Sequence, residues 1–334
     1  EVLELTLGAG VQAVDLSNMG ITDKITVATG SGTLTIADIA DNGLLTLTGD
    51  RNGETVVLTN TAFATPTDDV MNIAMTAAAG FDGGTVSAAD VETVNLTLTD
   101  TLVTAADPAT EFDVIVTADK ATTLNVDGNG PVALVLTGSL LLATLDATNA
   151  TGAVSATSAS TGAITMKGGS AGDSLTAKTG ANADVLIGNG GADTLTSNAG
   201  LTTLTGGDGL DLFVVATASA NSGVYTTITD AQSGDRIELA DKGAEVYDNT
   251  KITLAGTADF DDYLNAGVAG YDGTTDGKIR WFQFEGNTYI VQDMSNSATF
   301  TDGTDLVLGL TGLIDLSLAS FSIDAGADPV LMVG

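Results

Sequence analysis

Between Thr179 and Val214 the chain repeats itself every nine residues, and the run ends in Gly206-Gly207-Asp208-Gly209-Leu210-Asp211-Leu212-Phe213-Val214. That nonamer matches Gly-Gly-x-Gly-x-Asp-x-apolar-x at every specified position. So short a period leaves room for little besides one turn and one strand per repeat. The six residues Gly-Gly-x-Gly-x-Asp make a tight turn, in which glycine reaches φ values that other residues avoid. The three that follow make a short strand whose position 8 enters a core. Repeats of this kind stack as a parallel β-helix, because one unit cannot bury its apolar side alone.

With Asp at position 6 the units are 168–176 (Asp173), 179–187 (Asp184), 188–196 (Asp193), 197–205 (Thr202 instead of Asp) and 206–214 (Asp211). Position 8 holds Leu175, Leu186, Leu195, Leu204 and Phe213. Such a turn exposes backbone carbonyls beside a carboxylate, and Ca²⁺ takes six to eight oxygens of those two kinds. The candidate calcium ligands and turn positions are therefore Asp173, Asp184, Gly188, Gly190, Asp193, Gly206, Asp208, Asp211, Asp230 and Asp235. Asp235 and Glu238 read equally well as surface acids. A metal-free series of glycine-rich turns is the competing reading.

The charge points the same way. The net charge is −33, with 35 aspartates and 8 glutamates against 10 basic residues. A chain this acidic repels nucleic acid and anionic lipid headgroups, so its expected partners are cations or basic surfaces. A halophile-type surface would also be acidic, but would be expected to use Glu freely. Cysteine and histidine are absent, which removes disulfides, Cys/His zinc sites and His-dependent catalytic triads. No apolar run is long enough to span a membrane. The chain starts at Glu1, as expected of a fragment or a processed product.

Elsewhere the pattern is strand-like. Leu3, Leu5 and Leu7 alternate with polar residues, as do Val94, Leu96 and Leu98 and then Val132, Leu134 and Leu136. Gly30-Ser31-Gly32, Asp41-Asn42-Gly43, Asn52-Gly53 and Asp127-Gly128-Asn129-Gly130 supply turns, and Pro66 and Pro108 sit in loops. From residue 123 onward strand cores recur about every 20 residues, at Leu124, Leu145, Ile164, Leu186 and Leu204. A solenoid coil per step fits this spacing, and so does a β-sandwich. Short helices are expected at 34–40 and 87–91. Residues 257–266 read as a helix capped by Thr257 or Asp259, followed by a hairpin of 278–284 and 288–293. Trp281, Phe282, Phe284 and Tyr289 mark a conventional core there; a ligand site is the alternative.

The expected fold is all-β, a β-solenoid or parallel β-roll with a small α+β C-terminal region. The expected division is 1–160 (β-rich, solenoid or sandwich), 161–225 (calcium-binding roll) and 226–334 (β-rich with one short helix).

The nonapeptide run resembles the RTX repeat of calcium-binding proteins exported by type I secretion. The resemblance implies two nonamers per coil and an ion shared by turns 18 residues apart. It would place Asp173, Asp193 and Asp211 on one side, continued by Asp230. The other side would hold Asp184 and a weak or absent site at Thr202. The stretch 228–239 resembles the segment that closes such rolls.

The C-terminal third, with 278–293 and Thr299-Phe300-Thr301-Asp302-Gly303-Thr304-Asp305, is similar to Caulobacter-type bacterial S-layer proteins. That resemblance implies a secreted, non-enzymatic protein on the cell surface, whose partners are calcium and further copies of itself in a two-dimensional lattice. Attachment to a cell-surface glycan would come only through a region outside this chain, and no membrane insertion or nucleic-acid contact is implied. An RTX adhesin and the C-terminal piece of a secreted hydrolase are the alternatives.

Overall fold

In the computed structural model the strands alternate inward apolar and outward polar residues, and nearly all of them pair in parallel with the strand two places on. The structure describes residues 2–5, 10–19, 24–28, 32–51, 53–60, 68–78, 81–101, 111–178, 182–198, 200–215, 218–219, 221–243, 245–270, 277–295, 297–323 and 328–334. The expectations for Leu7, Gly30, Ser31, Asn52, Pro66, Pro108 and Thr179 lie outside these. Strand makes up 48% and helix 4%, so the fold is all-β, and the parallel stacked coils make it a β-solenoid. The chain divides into two compact units, Glu1–Leu175 and Thr176–Gly334.

The first unit begins with β1 (Leu3–Leu5), β2 (Gln12–Asp15), β3 (Lys24–Val27), β4 (Thr33–Ala37) and β5 (Leu44–Leu47). It continues with β6 (Thr55–Thr59), β7 (Val70–Ala77), β8 (Asp82–Ala88), β9 (Thr93–Asp100) and β10 (Phe112–Thr117). Then come β11 (Thr123–Gly128), β12 (Val132–Val135), β13 (Thr144–Asp146), β14 (Val154–Thr157) and β15 (Thr165–Lys167). β16 (Ser174–Thr176) reaches the division. Odd strands stack in one sheet and even strands in the other. This parallel stacking excludes the sandwich reading.

Register places like on like. One inward row runs Leu3, Ile25, Leu45, Ile73, Leu96, Val126, each residue beside the next. In the facing sheet Leu34, Val56, Val86 and Val116 do the same. Leu124 pairs with Leu145 and Leu145 with Met166, so the coil contributes Met166 to this row, and not Ile164 as the spacing suggests. Outward rows are polar. Asn95 Nδ2 donates to Asn72 Oδ1 and Asn125 Nδ2 to Asn95 Oδ1, both at 2.8 Å. The same row ends in an ion pair, Lys167 Nζ to Asp146 Oδ2 at 2.8 Å.

Neither expected short helix forms: 34–37 lie in β4 with 38–40 bending after it, and 87–88 end β8 with 89–91 turning. Thr33–Ala37 and Asp82–Ala88 alternate burial and pair on both sides. β-Branched Thr33, Thr35, Ile36, Thr85 and Val86 suit a pleated sheet. Asp38 (φ 58°) and Asp90 (φ 64°) then turn the chain in the left-handed region that Asp tolerates. Between β5 and β6 lies a buried ion pair. Arg51, 1% exposed, donates from Nη1 to Glu54 Oε2 at 3.2 Å and from Nη2 to the carbonyl oxygen of Ala28 in an earlier coil.

The second unit continues the same plan with β17 (Val185–Gly190), β18 (Thr194–Thr196), β19 (Thr203–Asp208), β20 (Leu212–Val215), β21 (Thr226–Ile228) and β22 (Arg236–Leu239). Leu186, Leu204, Ile228 and Leu310 form one inward row; Leu195, Phe213, Ile237 and Leu331 form the other. The segment 226–239 is the last coil that pairs in parallel with its predecessor in both sheets. After it come β23 (Val246–Tyr247), helix α1 (Phe260–Val268), β24 (Lys278–Phe284), β25 (Asn287–Gln292), β26 (Leu306–Leu310), β27 (Ser320–Ile323) and β28 (Pro329–Met332). β26, β25 and β24 extend one sheet and β28 and β27 the other, mostly antiparallel.

Asp259 caps α1 in a reciprocal box with Asp262. β24 and β25 form a hairpin through Glu285 (φ 45°) and Gly286 (φ 85°), a two-residue turn whose twist matches the strands. Tyr263 stacks on Phe282 at 4.9 Å, and Phe282 stacks on Tyr289 at 5.2 Å. The helix thus covers the outward face of this sheet. Trp281 does not share that cluster, because adjacent strand residues point to opposite faces; it is buried on the other side with Nε1 donating to Asn249 O at 3.0 Å.

Leu204 sits wholly buried between Leu186 and Ile228, whereas Leu210 is 65% exposed. Leu204→Ala should cost about 2–5 kcal/mol of unfolding free energy. Leu210→Ala should stay within about 0.5 kcal/mol. Denaturant melts of the two variants check this, and equal costs would contradict the stacking.

Candidate metal centre

Each nonapeptide turn connects a strand of one sheet to a strand of the other, and its position-6 residue stands directly before the next strand. Asp193 precedes β18, Asp211 precedes β20 and Asp235 precedes β22, all on one edge of the second unit. Asp173 precedes β16 in the same way in the first unit. Asp184 and Thr202 precede β17 and β19, on the opposite edge of the second unit. The two-sided arrangement expected for the aspartates of the second unit is therefore present.

On the Asp193 edge the carboxylates of Asp211 and Asp235 each bond the coil before them. Asp193 N–H donates to Asp211 Oδ1 at 2.9 Å, and Asp211 N–H donates to Asp235 Oδ1 at 3.0 Å. Asp235, and not Asp230, is thus the successor of Asp211. The step grows to 24 residues because a longer connection joins β20 to β21 on the other edge. Asp230 lies instead against the preceding turn's opening glycines, accepting from Gly206 N–H at 3.0 Å and Gly207 N–H at 2.8 Å. Asp235 Oδ2 accepts from Gln232 N–H at 2.9 Å. In the first unit Asp173 accepts from Val154 N–H at 2.7 Å and Gly169 N–H at 2.6 Å.

Glycine at position 1 is dictated by the carboxylate. A Cβ on Gly206 would lie 2.1 Å from Asp211 Oδ2, and one on Gly188 would lie 2.0 Å from Asp193 Oδ2 and 2.6 Å from Gly206 O. A carboxylate oxygen and a carbonyl oxygen thus meet over the bare Cα of Gly188. At position 4, Gly209 (φ 150°) passes so close to Gly191 O that a Cβ would sit 1.6 Å from it. Gly190 pairs with Asp208 across the ladder, and the Asp208 side chain is exposed.

Burial is the dominant electrostatic influence. It pushes the Asp211 carboxyl above the usual carboxylate range; the Asp193 N–H pulls it back in part, and the charges of Asp235 and Asp230 push it further. Burial also raises Asp173 and Asp235, against the hydrogen bonds they accept. A carboxyl with a raised folded pKa weakens the fold at neutral pH, and the penalty is relieved as pH falls through that value or as a cation arrives. Asp211 is 1% exposed, and its Oδ2 makes no hydrogen bond among the described residues. The donor set on this edge is all oxygen, with a carboxylate oxygen and a carbonyl oxygen converging where a side chain is missing. That set fits Ca²⁺. Among the described residues no three acidic side chains converge as a metal cage, so such an ion would draw on main-chain carbonyls as well as carboxylates.

The opposite edge is built differently. Asn198 Nδ2 donates to Asp184 Oδ2 at 2.8 Å, and Thr202 Oγ1 donates to Asn198 Oδ1 at 2.8 Å. All three residues are buried. The Asn198 amide supplies Asp184 with the positive partner that a cation would otherwise supply. The sequence pattern points to Thr202 but not to Asn198. The signal was present, since Asn198 stands where the pattern has its second glycine, in the one unit that lacks Asp.

Comparison with protein-family models finds no match, and comparison with curated proteins finds none either.

Gly206→Ala should destabilise the protein through its collision with Asp211. Gly256→Ala, where a Cβ meets nothing within 4 Å, should be neutral or slightly stabilising. Paired thermal melts decide, and a harmless Gly206→Ala would contradict the packing described.

Proposed function

We propose that the chain is a calcium-dependent structural protein that folds outside the cell and self-assembles into a two-dimensional surface layer. The observation that carries this reading is the buried Oδ2 of Asp211 over Gly206, an arrangement that Asp193 over Gly188 repeats in the preceding coil. Asp193 and Asp211, with carbonyl oxygens such as Gly206 O, would hold the ion, and Asp173 would do so in its own unit. The Asp184 edge, already satisfied by Asn198, would hold it weakly or not at all. A bound Ca²⁺ supplies positive charge where the coils otherwise stack carboxylates.

The chain's own part is to present those oxygens in register. Asp211 and Asp235 tie each coil to its predecessor through the Asp N–H groups, which fixes the spacing of the carboxylates. The position-1 glycines keep the space over them open. With a net charge of −33, self-repulsion opposes compaction until cations arrive. Extracellular calcium modules bind with a Kd of roughly 10⁻⁴–10⁻³ M. A few millimolar calcium would then add about 1–2 kcal/mol per site. Such sites empty inside a cell and fill outside it, which couples folding to export. The outward polar rows of the solenoid, with residues such as Asn72, Asn95 and Asn125, offer repeated amides for lateral contact between copies. No helix among the described residues is long and apolar enough to cross a membrane.

Circular dichroism and electron microscopy with calcium and with chelator test the proposal. The expected results are a calcium-dependent gain of β signal and of thermal stability, reduced by Asp211→Asn, and ordered sheets with calcium. Chelator-resistant spectra and assembly would overturn it. Calcium-dependent folding into dispersed monomers would leave the calcium role and replace the lattice with an adhesin.

A further inference from the structure

We propose that Asp293 and Asp305 form a second, independent cation site in the second unit, outside the nonapeptide turns, for a hard divalent ion such as Ca²⁺. Gln292 and Leu306 are paired residues at the end of the antiparallel β25–β26 ladder. The next residue on each strand is an aspartate, so Asp293 and Asp305 face each other just beyond the last pair. Asp293 is 3% exposed and Asp305 is fully buried. Two like charges set opposite each other and removed from water destabilise a sheet end unless something neutralises them.

The hydrogen bonds neutralise only one of the two. Asp305 Oδ1 accepts from Met294 N–H at 2.8 Å, and its Oδ2 accepts from Thr301 N–H at 2.7 Å and Ser295 Oγ at 3.1 Å. Asp293 Oδ1 accepts from Ser295 N–H at 3.2 Å. Asp293 Oδ2 is buried and has no hydrogen-bond partner among the described residues. Ser295 donates to both carboxylates, which holds the two groups on either side of one residue. The backbone fixes their position, with Asp293 N–H on Lys278 O at 2.9 Å and Asp305 N–H on Thr301 O at 2.9 Å.

The cation whose charge reaches Asp293 is Arg280, but it gives no hydrogen bond to Asp293 Oδ2. Its Nη1 serves the carbonyls of Ala266 and Ala269, and its Nε lies 3.6 Å from Asp248. A metal ion answers the bare oxygen directly. The groups at the pair are oxygens: the two carboxylates and the Ser295 hydroxyl that bonds Asp305. That chemistry selects an ion that tolerates irregular oxygen sets of six to eight.

This site shares no residue with the nonapeptide turns, so it and the calcium reading of those turns can fail separately. The test is a count of bound calcium on the full chain by equilibrium dialysis with elemental analysis, for the parent protein, Asp293→Asn and Asp211→Asn. Asp293→Asn should bind one ion fewer than the parent, and Asp211→Asn should keep that ion. In chelator, Asp293→Asn should melt no lower than the parent, because a bare buried charge has gone, and added calcium should raise its Tm less. An unchanged ion count in Asp293→Asn overturns the proposal. So does a lower Tm in chelator with an undiminished calcium response, which is the signature of a hydrogen-bonding role alone. If Asp293→Asn does not fold, crystals of the parent protein soaked in Tb³⁺ decide: an anomalous peak between Asp293 and Asp305 supports the site, and peaks only elsewhere overturn it.

Discussion

In-register parallel pairing is the constraint from which the rest follows. Each coil gives an inward residue to a row such as Leu186, Leu204, Ile228, and each row is buried only because the next coil covers it. A coil alone has no core, so its stability belongs to its neighbours as much as to itself. Register also decides what happens on the outside. Once apolar side chains stack, identical polar positions stack too, and the chain must make those repeats compatible. The amide row of Asn72, Asn95 and Asn125 does so by donating along the row. Carboxylates have no proton to donate, so a row of aspartates needs another solution.

The structure contains three such solutions. On the Asp193 edge main-chain N–H groups answer both oxygens of Asp235 but only one of Asp211. On the Asp184 edge a side-chain amide does the work. At the end of the β25–β26 ladder Asp305 collects three donors while Asp293 keeps one oxygen bare. The degree of satisfaction therefore varies from site to site in one acidic chain. That variation, more than the total charge, separates aspartates whose oxygens are all hydrogen-bonded from those that keep a buried oxygen without a hydrogen bond.

The solenoid was legible because its signals are local and repeated. Alternation at Val94, Leu96 and Leu98 and a constant apolar position 8 require inward rows whatever the surroundings. Three features escaped. Residues 34–40 and 87–91 read as helical in isolation, but strand pairing claims 34–37 and 87–88, and left-handed Asp38 and Asp90 turn the rest. Met166, and not Ile164, entered its row because register is set by neighbouring coils that the sequence does not display. Asp235 took the place expected for Asp230 because a longer connection on the opposite edge shifts the count without disturbing the strands. The pairing of Asn198 with Asp184, 14 residues apart, and the meeting of Asp293 with Asp305 arise from tertiary placement. A one-dimensional pattern gives the residue types and leaves such meetings unspecified.

Arg51 carries a consequence for the first unit. Its guanidinium sits inside the turn between β5 and β6, bonded to Glu54 and to a carbonyl of an earlier coil. It is a counter-ion fixed to the chain by a covalent stem. A soluble ion leaves when its concentration falls or a chelator competes; this one cannot be titrated away, and it arrives with the polypeptide in a ratio of one to one. That coil is closed by synthesis itself, whatever the ionic composition around it. It gives the first unit one coil whose buried carboxylate carries its own positive partner.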